Sequence, residues 1–215
     1  MRDIALSLFP DLAPDRPVGP LFGSVQTGTN ADLIATVAPT YLAGSVLDVT
    51  YGEGKWWERF RPDPFTFHDL HKVDGVDFRD LPHPDGSFDA VCFDPPYVHS
   101  GGKAKSNTVA EFRDRFGLDA NQPGESFYAL IMDGLAETAR VTNCWLLVKC
   151  MEFAQGGKFH DVPHLVTVAA SAMGLVKFDQ VVHHTGPGPG GHNIFEQKRA
   201  RRHHSYLLVF RKVAS

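Results

Sequence analysis

The residues best suited to chemistry are the run Phe93-Asp94-Pro95-Pro96-Tyr97, which ends a short apolar stretch. Two consecutive prolines fix φ and remove two backbone N–H groups, so the turn is stiff and cannot continue a helix. It would present the Asp94 carboxylate and the Pro95 carbonyl as acceptors beside the ring of Tyr97. Two such acceptors suit an aromatic amine, because hydrogen bonds from its N–H groups return electron density to a nitrogen whose lone pair is delocalised. The alternative is a rigid proline turn with a packed tyrosine.

A second pattern, residues 48–54 (Asp-Val-Thr-Tyr-Gly-Glu-Gly), has the form of a strand that runs into a tight glycine turn. Glycines at 52 and 54 would let the backbone approach a ligand closely. A dinucleotide fingerprint needs a third glycine at 57, where Trp57 stands, so a dehydrogenase is disfavoured. An acidic residue about 20 positions on could bind a ribose. Asp69 is the candidate, with a plain turn carboxylate as the alternative.

Alternating strands and helices must position these two turns. A Thr29-Asn30-Ala31-Asp32 capping signal and a stop at Gly44 predict the first helix. Because parallel neighbours need crossover connections, the alternation predicts an open, mainly parallel α/β sheet with helices on both faces. We expect its first strand to be central. The other predicted helices are 127–138 and 161–172, and the predicted strands are 45–49, 65–67, 76–78, 90–93, 145–148, 178–182 and 206–210.

The two patterns together, Asp48-x-x-x-Gly52-x-Gly54 and Asp94-Pro95-Pro96-Tyr97, resemble the S-adenosylmethionine-dependent amino-methyltransferases, above all the adenine-specific DNA methyltransferases. The resemblance extends from about Gly28 to Lys212. It implies a Rossmann-like, seven-stranded class I methyltransferase sheet, S-adenosyl-L-methionine as cofactor, and the exocyclic amine of adenine in DNA as methyl acceptor. A duplex target would have to be flipped out of the stack. The alternatives are an RNA base amino-methyltransferase and a catalytically inactive nucleic-acid-binding module.

The resemblance also implies a role for each site residue. The amino-acid part of the cofactor would lie against Asp48 and the glycine turn, its ribose against Asp69 and its adenine against Asp77, with Asp80 as the rival of Asp77. The chain departs from the family at Val49-Thr50-Tyr51, where Pro-Phe is common. The implied cofactor residues are Asp48, Thr50, Gly52, Gly54, Asp69 and Asp77, and the implied catalytic residues are Asp94, Pro95, Pro96 and Tyr97.

Charge is unevenly spread along the chain. The net charge is −4, yet residues 196–215 carry +5 and the remainder −9. In the resembling family the loop before the last strand lies on the substrate side, so its cations are candidates for phosphate contacts. A solvated strand flank is the alternative. The candidate nucleic-acid-binding residues are Lys198, Arg199, Arg201 and Arg202.

The composition predicts one soluble globular domain over residues 1–215, since 43% of the residues are apolar and 21% are charged. Within it we expect an extended N-terminal arm (1–24) and two long substrate-side loops (98–125 and 184–203). Only a few residues follow the last predicted strand, so we expect sequence selectivity to come from those loops or from a separate partner, or to be slight. No apolar stretch approaches the about 18 residues of a membrane helix, and no secretory signal is readable, which predicts a cytoplasmic protein.

The cysteines and histidines predict no metal site. Cys92, Cys144 and Cys150 lie in apolar, strand-like contexts and are expected to be buried free thiols. The eleven histidines include His68-x-x-His71 and His183-His184, but no cysteine or second carboxylate joins them at a zinc-like spacing. We therefore expect the histidines to be exposed or to cap chain segments.

Overall fold

The computed structural model describes residues 19–96, 123–155, 158–184, 186, 200 and 202–213. Most of the predicted arm and of the two long loops lies outside these residues, as do Tyr97, Lys198, Arg199 and Arg201. A helix over Pro123–Val141 begins inside the 98–125 range. In the described part of the chain, every helix is too short or too polar to cross a membrane. The single-domain organisation stays a prediction.

The core is a seven-stranded sheet in the order β1-β8-β9-β5-β4-β2-β3. Only β9 runs antiparallel to its neighbours; the other adjacent pairs are parallel. This is an open, Rossmann-like α/β sheet of seven strands, and the predicted fold class is confirmed. A separate hairpin consists of β6 and β7. The strands are β1 (Val25–Thr27), β2 (Val46–Asp48), β3 (Phe65–Phe67), β4 (Phe88–Phe93), β5 (Thr142–Cys150), β6 (Phe153–Gln155), β7 (Lys158–His160), β8 (Leu175–His184) and β9 (His204–Lys212).

Helices cover both faces of the sheet, as predicted. Helix α1 (Asn30–Tyr41) packs on one face. A capping box begins this helix: the Thr29 hydroxyl accepts from the Asp32 backbone N–H, and the Asp32 carboxylate accepts from the Thr29 N–H. Helices α2 (Pro123–Val141) and α3 (Val162–Ala172) pack on the other face. The two apolar layers separate along the strands because successive side chains point to opposite faces. Sheet and helices together hold the carboxyl ends of β2 and β4 in fixed positions.

The prediction of a strand at 76–78 is wrong. Asp77 accepts hydrogen bonds from the backbone and side chain of Arg79, and its carbonyl accepts from the Asp80 N–H, so this segment forms turns. The preceding residues fold back as well, because the His68 ring hydrogen-bonds Asp74 at 2.5 Å and His83 at 2.7 Å. Local polar bonds here replace a strand's pairing.

The seventh strand is instead β1, at the opposite edge of the sheet. It follows the proline-rich segment and pairs in parallel with β8, from Val25 opposite Val182 to Thr27 opposite His184. The predicted central position of the first strand is also wrong. That strand, β2, lies second from an edge, because no strand forms at 76–78 to extend the sheet beyond β3.

Candidate active site

The two motifs meet at the carboxyl edge of the sheet. Strands β2 and β4 are parallel neighbours with Asp48 in register with Cys92, so the glycine turn and the Asp94-Pro95-Pro96 turn leave the sheet side by side. The backbone N–H of Asp94 donates to the Thr50 hydroxyl at 2.9 Å, which ties the two turns together. Pro95 is buried, and Asp94 and Pro96 are partly buried. The edge beside a switch in strand order is where open α/β sheets bind ligands.

Asp48 is a buried carboxylate with only 3% of its surface exposed. One oxygen accepts from the Trp57 indole N–H at 2.6 Å, and the other accepts from the Thr50 backbone N–H at 2.8 Å. Burial raises the pKa of Asp48 to about 7, although the bonds from Trp57 and Thr50 lower it, and the nearby charge of Asp94 raises it further. Asp48 therefore changes its charge near neutral pH beside the glycine turn.

The ionisation of Asp48 links stability to pH. Its folded pKa lies above the unfolded value of about 3.9, so the stability it contributes is complete below about pH 4 and is lost as the pH rises to about 7. The Trp57 N–H bond limits that loss by favouring the carboxylate. We expect Trp57→Phe to raise the pKa of Asp48 further and to lower the free energy of unfolding by about 1–3 kcal/mol at pH 8, with a smaller loss at pH 5.

Urea unfolding at the two pH values measures this effect. Trp56→Phe is the matched control, because Trp56 is a neighbouring indole that is 7% exposed. It should lose the same packing without an added dependence on pH. An equal loss at pH 5 and pH 8 for Trp57→Phe would show that Trp57 serves packing alone.

The glycine turn needs glycine for its backbone at both positions. Gly52 has φ of +57° and Gly54 has φ of +70°, where L-residues are strained. A Cβ on Gly54 would overlap the Tyr51 side chain, at 2.5 Å from its hydroxyl and 2.6 Å from its ring, whereas a Cβ on Gly52 would meet nothing closer than the Thr50 carbonyl at 3.8 Å. The open space of the turn therefore lies at Gly52, while Tyr51 closes over Gly54 and stacks on Phe67.

Asp69 follows β3 and lies against the glycine turn. Its carboxylate accepts from the backbone N–H groups of Gly52 at 2.9 Å, His71 at 2.9 Å and Lys72 at 2.8 Å. A carboxylate offers about four acceptor positions, so one more donor can be accommodated. The structure thus brings Asp69 together with Gly52. Its assignment to a ribose stays a prediction.

Asp77 is engaged by its neighbour Arg79. The guanidinium donates to both carboxylate oxygens, with the shortest N–O distance at 2.5 Å, and this pairing lowers the pKa of Asp77. Asp80 is exposed. The described contacts therefore give Asp77 a place in a turn, and the assignment of either residue to the cofactor's adenine stays a prediction.

Some functional features escaped the sequence interpretation. Sequence interpretation missed the hydrogen bond from the Trp57 indole N–H to Asp48. The available signal was the tryptophan itself, which stands where a dinucleotide fingerprint has its third glycine. His68 and His183 are buried, at 8% and 0% exposure, so the expectation of exposed or capping histidines is wrong for them. Cys92 and Cys150 are buried free thiols as predicted, and Cys144 is partly buried. Within the described ranges, the histidines, cysteines and carboxylates form no cluster of three that could hold a metal ion.

One predicted nucleic-acid-binding residue, Arg202, lies in the described part of the chain. Its Nε is 3.9 Å from an oxygen of Glu152, and its guanidinium lies over the ring of Phe159. Strand β9 runs antiparallel to β5, so Arg202, just before β9, and Glu152, just after β5, share the carboxyl edge with Asp94. Lys198, Arg199 and Arg201 lie outside the described residues, and their role stays a prediction.

No protein-family model matches the chain, and no curated protein matches it. Its fold is similar to those of several solved proteins at low identity. A Thermus thermophilus protein, provisionally named a DNA modification methylase and solved with S-adenosyl-L-methionine, is 14% identical, with 80% of this chain and 57% of that chain covered and a TM-score of 0.43. The Burkholderia thailandensis 1,6-didemethyltoxoflavin-N1-methyltransferase is 13% identical, with 86% and 79% covered and a TM-score of 0.48.

A third structure, an S-adenosylmethionine-dependent methyltransferase from Aquifex aeolicus, is 12% identical, with 86% of this chain and 90% of that chain covered and a TM-score of 0.44. The chain spans little more than half the length of the Thermus protein.

Proposed function

We propose that the protein transfers a methyl group from S-adenosyl-L-methionine to the exocyclic amine of adenine in DNA. The observation that carries this proposal is the Asp94-Pro95-Pro96 turn, held beside the glycine turn by the bond from the Asp94 N–H to Thr50. A methyltransferase must bring a methyl donor and a nucleophile within reach of each other. Two neighbouring strand ends, one with a glycine turn and one with two amine acceptors, meet that requirement.

The residues at the glycine turn fit the cofactor. The space in front of Gly52 admits a ligand against the backbone, and Asp69 has acceptor capacity left for a ribose hydroxyl. Asp48 and Thr50 lie just before the turn and support it, with the Thr50 backbone N–H donating to the Asp48 carboxylate. Asp77 is the proposed contact for the adenine of the cofactor. When bound, S-adenosyl-L-methionine supplies a methyl group activated by the adjacent sulfonium. These residues bind and orient it.

The proline turn would hold the methyl acceptor. The Asp94 carboxylate and the Pro95 carbonyl accept the two N–H groups of the amine, and Tyr97 stacks on the base. Pro96 keeps the turn out of any helix, so both acceptors keep their direction. The amine nitrogen loses one proton when it gains the methyl group, and Asp94 is the ionisable group of the turn that would receive it.

A labelling experiment tests the proposal directly. The protein is incubated with methyl-labelled S-adenosyl-L-methionine and with separate DNA, RNA and protein pools, and the modified nucleoside is identified by mass spectrometry. We expect label in DNA as N6-methyladenine. Label in RNA would replace DNA as the substrate, and cofactor binding without transfer to any pool would favour an inactive nucleic-acid-binding module.

The basic run before β9 yields a quantitative prediction. If its cations contact phosphates, alanine at 198, 199, 201 and 202 together should weaken DNA binding equally for all sequences. Each lost contact should reduce the slope of log affinity against log salt by roughly 0.9. We expect two or three contacts, a change of about 1.8–2.7, because Arg202 also faces Glu152.

Fluorescence anisotropy with duplex DNA at several salt concentrations measures this slope. Lys177→Ala, which removes an exposed cation on β8, is the control and should leave the slope unchanged. Affinity for S-adenosyl-L-methionine should also be unchanged, since the run leads into β9, and strands β5 and β4 separate β9 from the strand that leads into the glycine turn. A quadruple variant with the parent's slope would identify the run as a solvated surface.

A further inference from the structure

The β6–β7 hairpin lies apart from the main sheet, inserted between β5 and α3 at the edge that carries Asp94. Strand β5 pairs in parallel with β4, with Val148 opposite Phe93, and it ends at Cys150. Since the hairpin begins at Phe153, shortly after the end of β5, its base lies at the same edge of the sheet as the proposed amine-binding turn.

Aromatic contacts anchor the base of the hairpin to helix α2. Phe153 and His160 stack with ring centroids 4.6 Å apart and planes 9° from parallel. Phe153 also packs edge-on against Phe127 of α2 at 5.5 Å, and the Tyr128 hydroxyl hydrogen-bonds the His160 ring. The hairpin is therefore fixed relative to the carboxyl edge of the sheet.

Phe159 points away from this anchor. Successive strand residues face opposite sides, so Phe159 leaves the side occupied by His160, and it is 48% exposed. The guanidinium carbon of Arg202 lies 4.8 Å from the centre of its ring. Arg202 is held in turn by Glu152, 3.9 Å from its Nε, and by the Ala200 carbonyl, which accepts from Nη1 at 2.6 Å. A flat cation and a flat apolar ring are thus fixed together at the surface.

We propose that Phe159 and Arg202 form a stacking platform for an unpaired base of the nucleic-acid substrate. This inference rests on the proposed function, which requires a target base to leave the duplex stack and thereby deprives neighbouring bases of a stacking partner. Aromatic rings and arginine planes are the groups on which proteins stack such bases. Arg202 gives the platform a positive charge, which suits the phosphate backbone of a nucleic acid better than an apolar protein surface.

Three substitutions of one side chain test the platform. Binding of a fluorescent single-stranded oligonucleotide is measured by anisotropy for Phe159→Ala, Phe159→Leu and Phe159→Trp. We expect alanine to weaken binding by about 5- to 150-fold, the range that loss of one base–aromatic stack produces. Leucine should recover little of the affinity, because it has no π face, and tryptophan should retain all of it.

Controls separate the platform from folding and from the proposed chemistry. Val168→Ala removes another exposed apolar side chain, 55% exposed on α3, and should bind the oligonucleotide like the parent. Affinity for S-adenosyl-L-methionine, measured by calorimetry, should be equal in all variants, which shows that they are folded. Parental binding by Phe159→Ala, or full recovery by Phe159→Leu, would overturn the platform, and the latter would point to an apolar protein partner. Absence of methyl transfer in the parent would overturn the proposed function. The oligonucleotide affinities of the Phe159 variants would still test the platform.

Discussion

Replacing Asp94 with alanine is expected to lower the rate of methyl transfer by about a hundred- to a thousandfold or more, while affinity for S-adenosyl-L-methionine changes by less than about tenfold. The carboxylate is one of the two acceptors of the proposed amine site, so its removal takes away an interaction that strengthens as the nitrogen becomes nucleophilic. The backbone N–H of Asp94, which bonds Thr50, remains in the variant. The two turns should therefore keep their relative position.

Single-turnover methylation and calorimetry of cofactor binding measure the two quantities separately. Asp94→Asn keeps one acceptor oxygen but cannot receive the proton, so it should retain only a small part of the activity. Asp85→Ala is the control, since Asp85 is a carboxylate with 81% of its side chain exposed, paired with Arg140. If Asp94→Ala loses cofactor affinity and activity together, Asp94 serves the cofactor or the fold, and the amine site is wrongly placed.

Replacing Gly52 with valine is expected to weaken binding of S-adenosyl-L-methionine by at least about tenfold. Its branched side chain would occupy the open space in front of the turn, between the Thr50 carbonyl and the Asp69 carboxylate. The substitution also strains the backbone, because φ is +57° and a left-handed conformation costs an L-residue about 1–2 kcal/mol. Strain alone could lower affinity through the fold, so it must be measured separately.

Gly86→Val provides that separation. Gly86 has φ of +62°, a Cβ there would meet no atom within 4 Å, and the turn precedes β4 at the opposite edge of the sheet. Both variants should lose similar stability in thermal unfolding, whereas only Gly52→Val should lose cofactor affinity in calorimetry. Unchanged affinity in Gly52→Val would remove the glycine turn from the proposed cofactor site.

The sequence by itself determined the features that depend on neighbouring residues. The Thr29 to Asp32 capping box, the positive φ of Gly52 and the stiffness of Pro95-Pro96 follow from local stereochemistry, and each can be read from a few consecutive letters. The alternation of apolar runs and helical patterns likewise predicted a mainly parallel sheet with helices on both faces. The parallel order then placed Asp48 and Asp94 at one edge.

The tertiary structure decided which partners these residues meet. Asp69 could be read as a ligand-binding carboxylate, and only the fold shows that it also holds the Gly52 N–H. Trp57 could be read only as a missing glycine, whereas the fold turns its indole toward Asp48. Such bonds join segments that pack together only after the sheet has formed.

Tertiary structure also decided the edges of the sheet. The apolar run at 76–78 has the composition of a strand, but the Asp77–Arg79 pairing and the bonds of His68 to Asp74 and His83 hold the segment in turns. The sheet is extended instead at its opposite edge, where the three residues of β1 pair with β8. A short edge strand gains its stability from the strand beside it, so its own residues carry too little information to predict it.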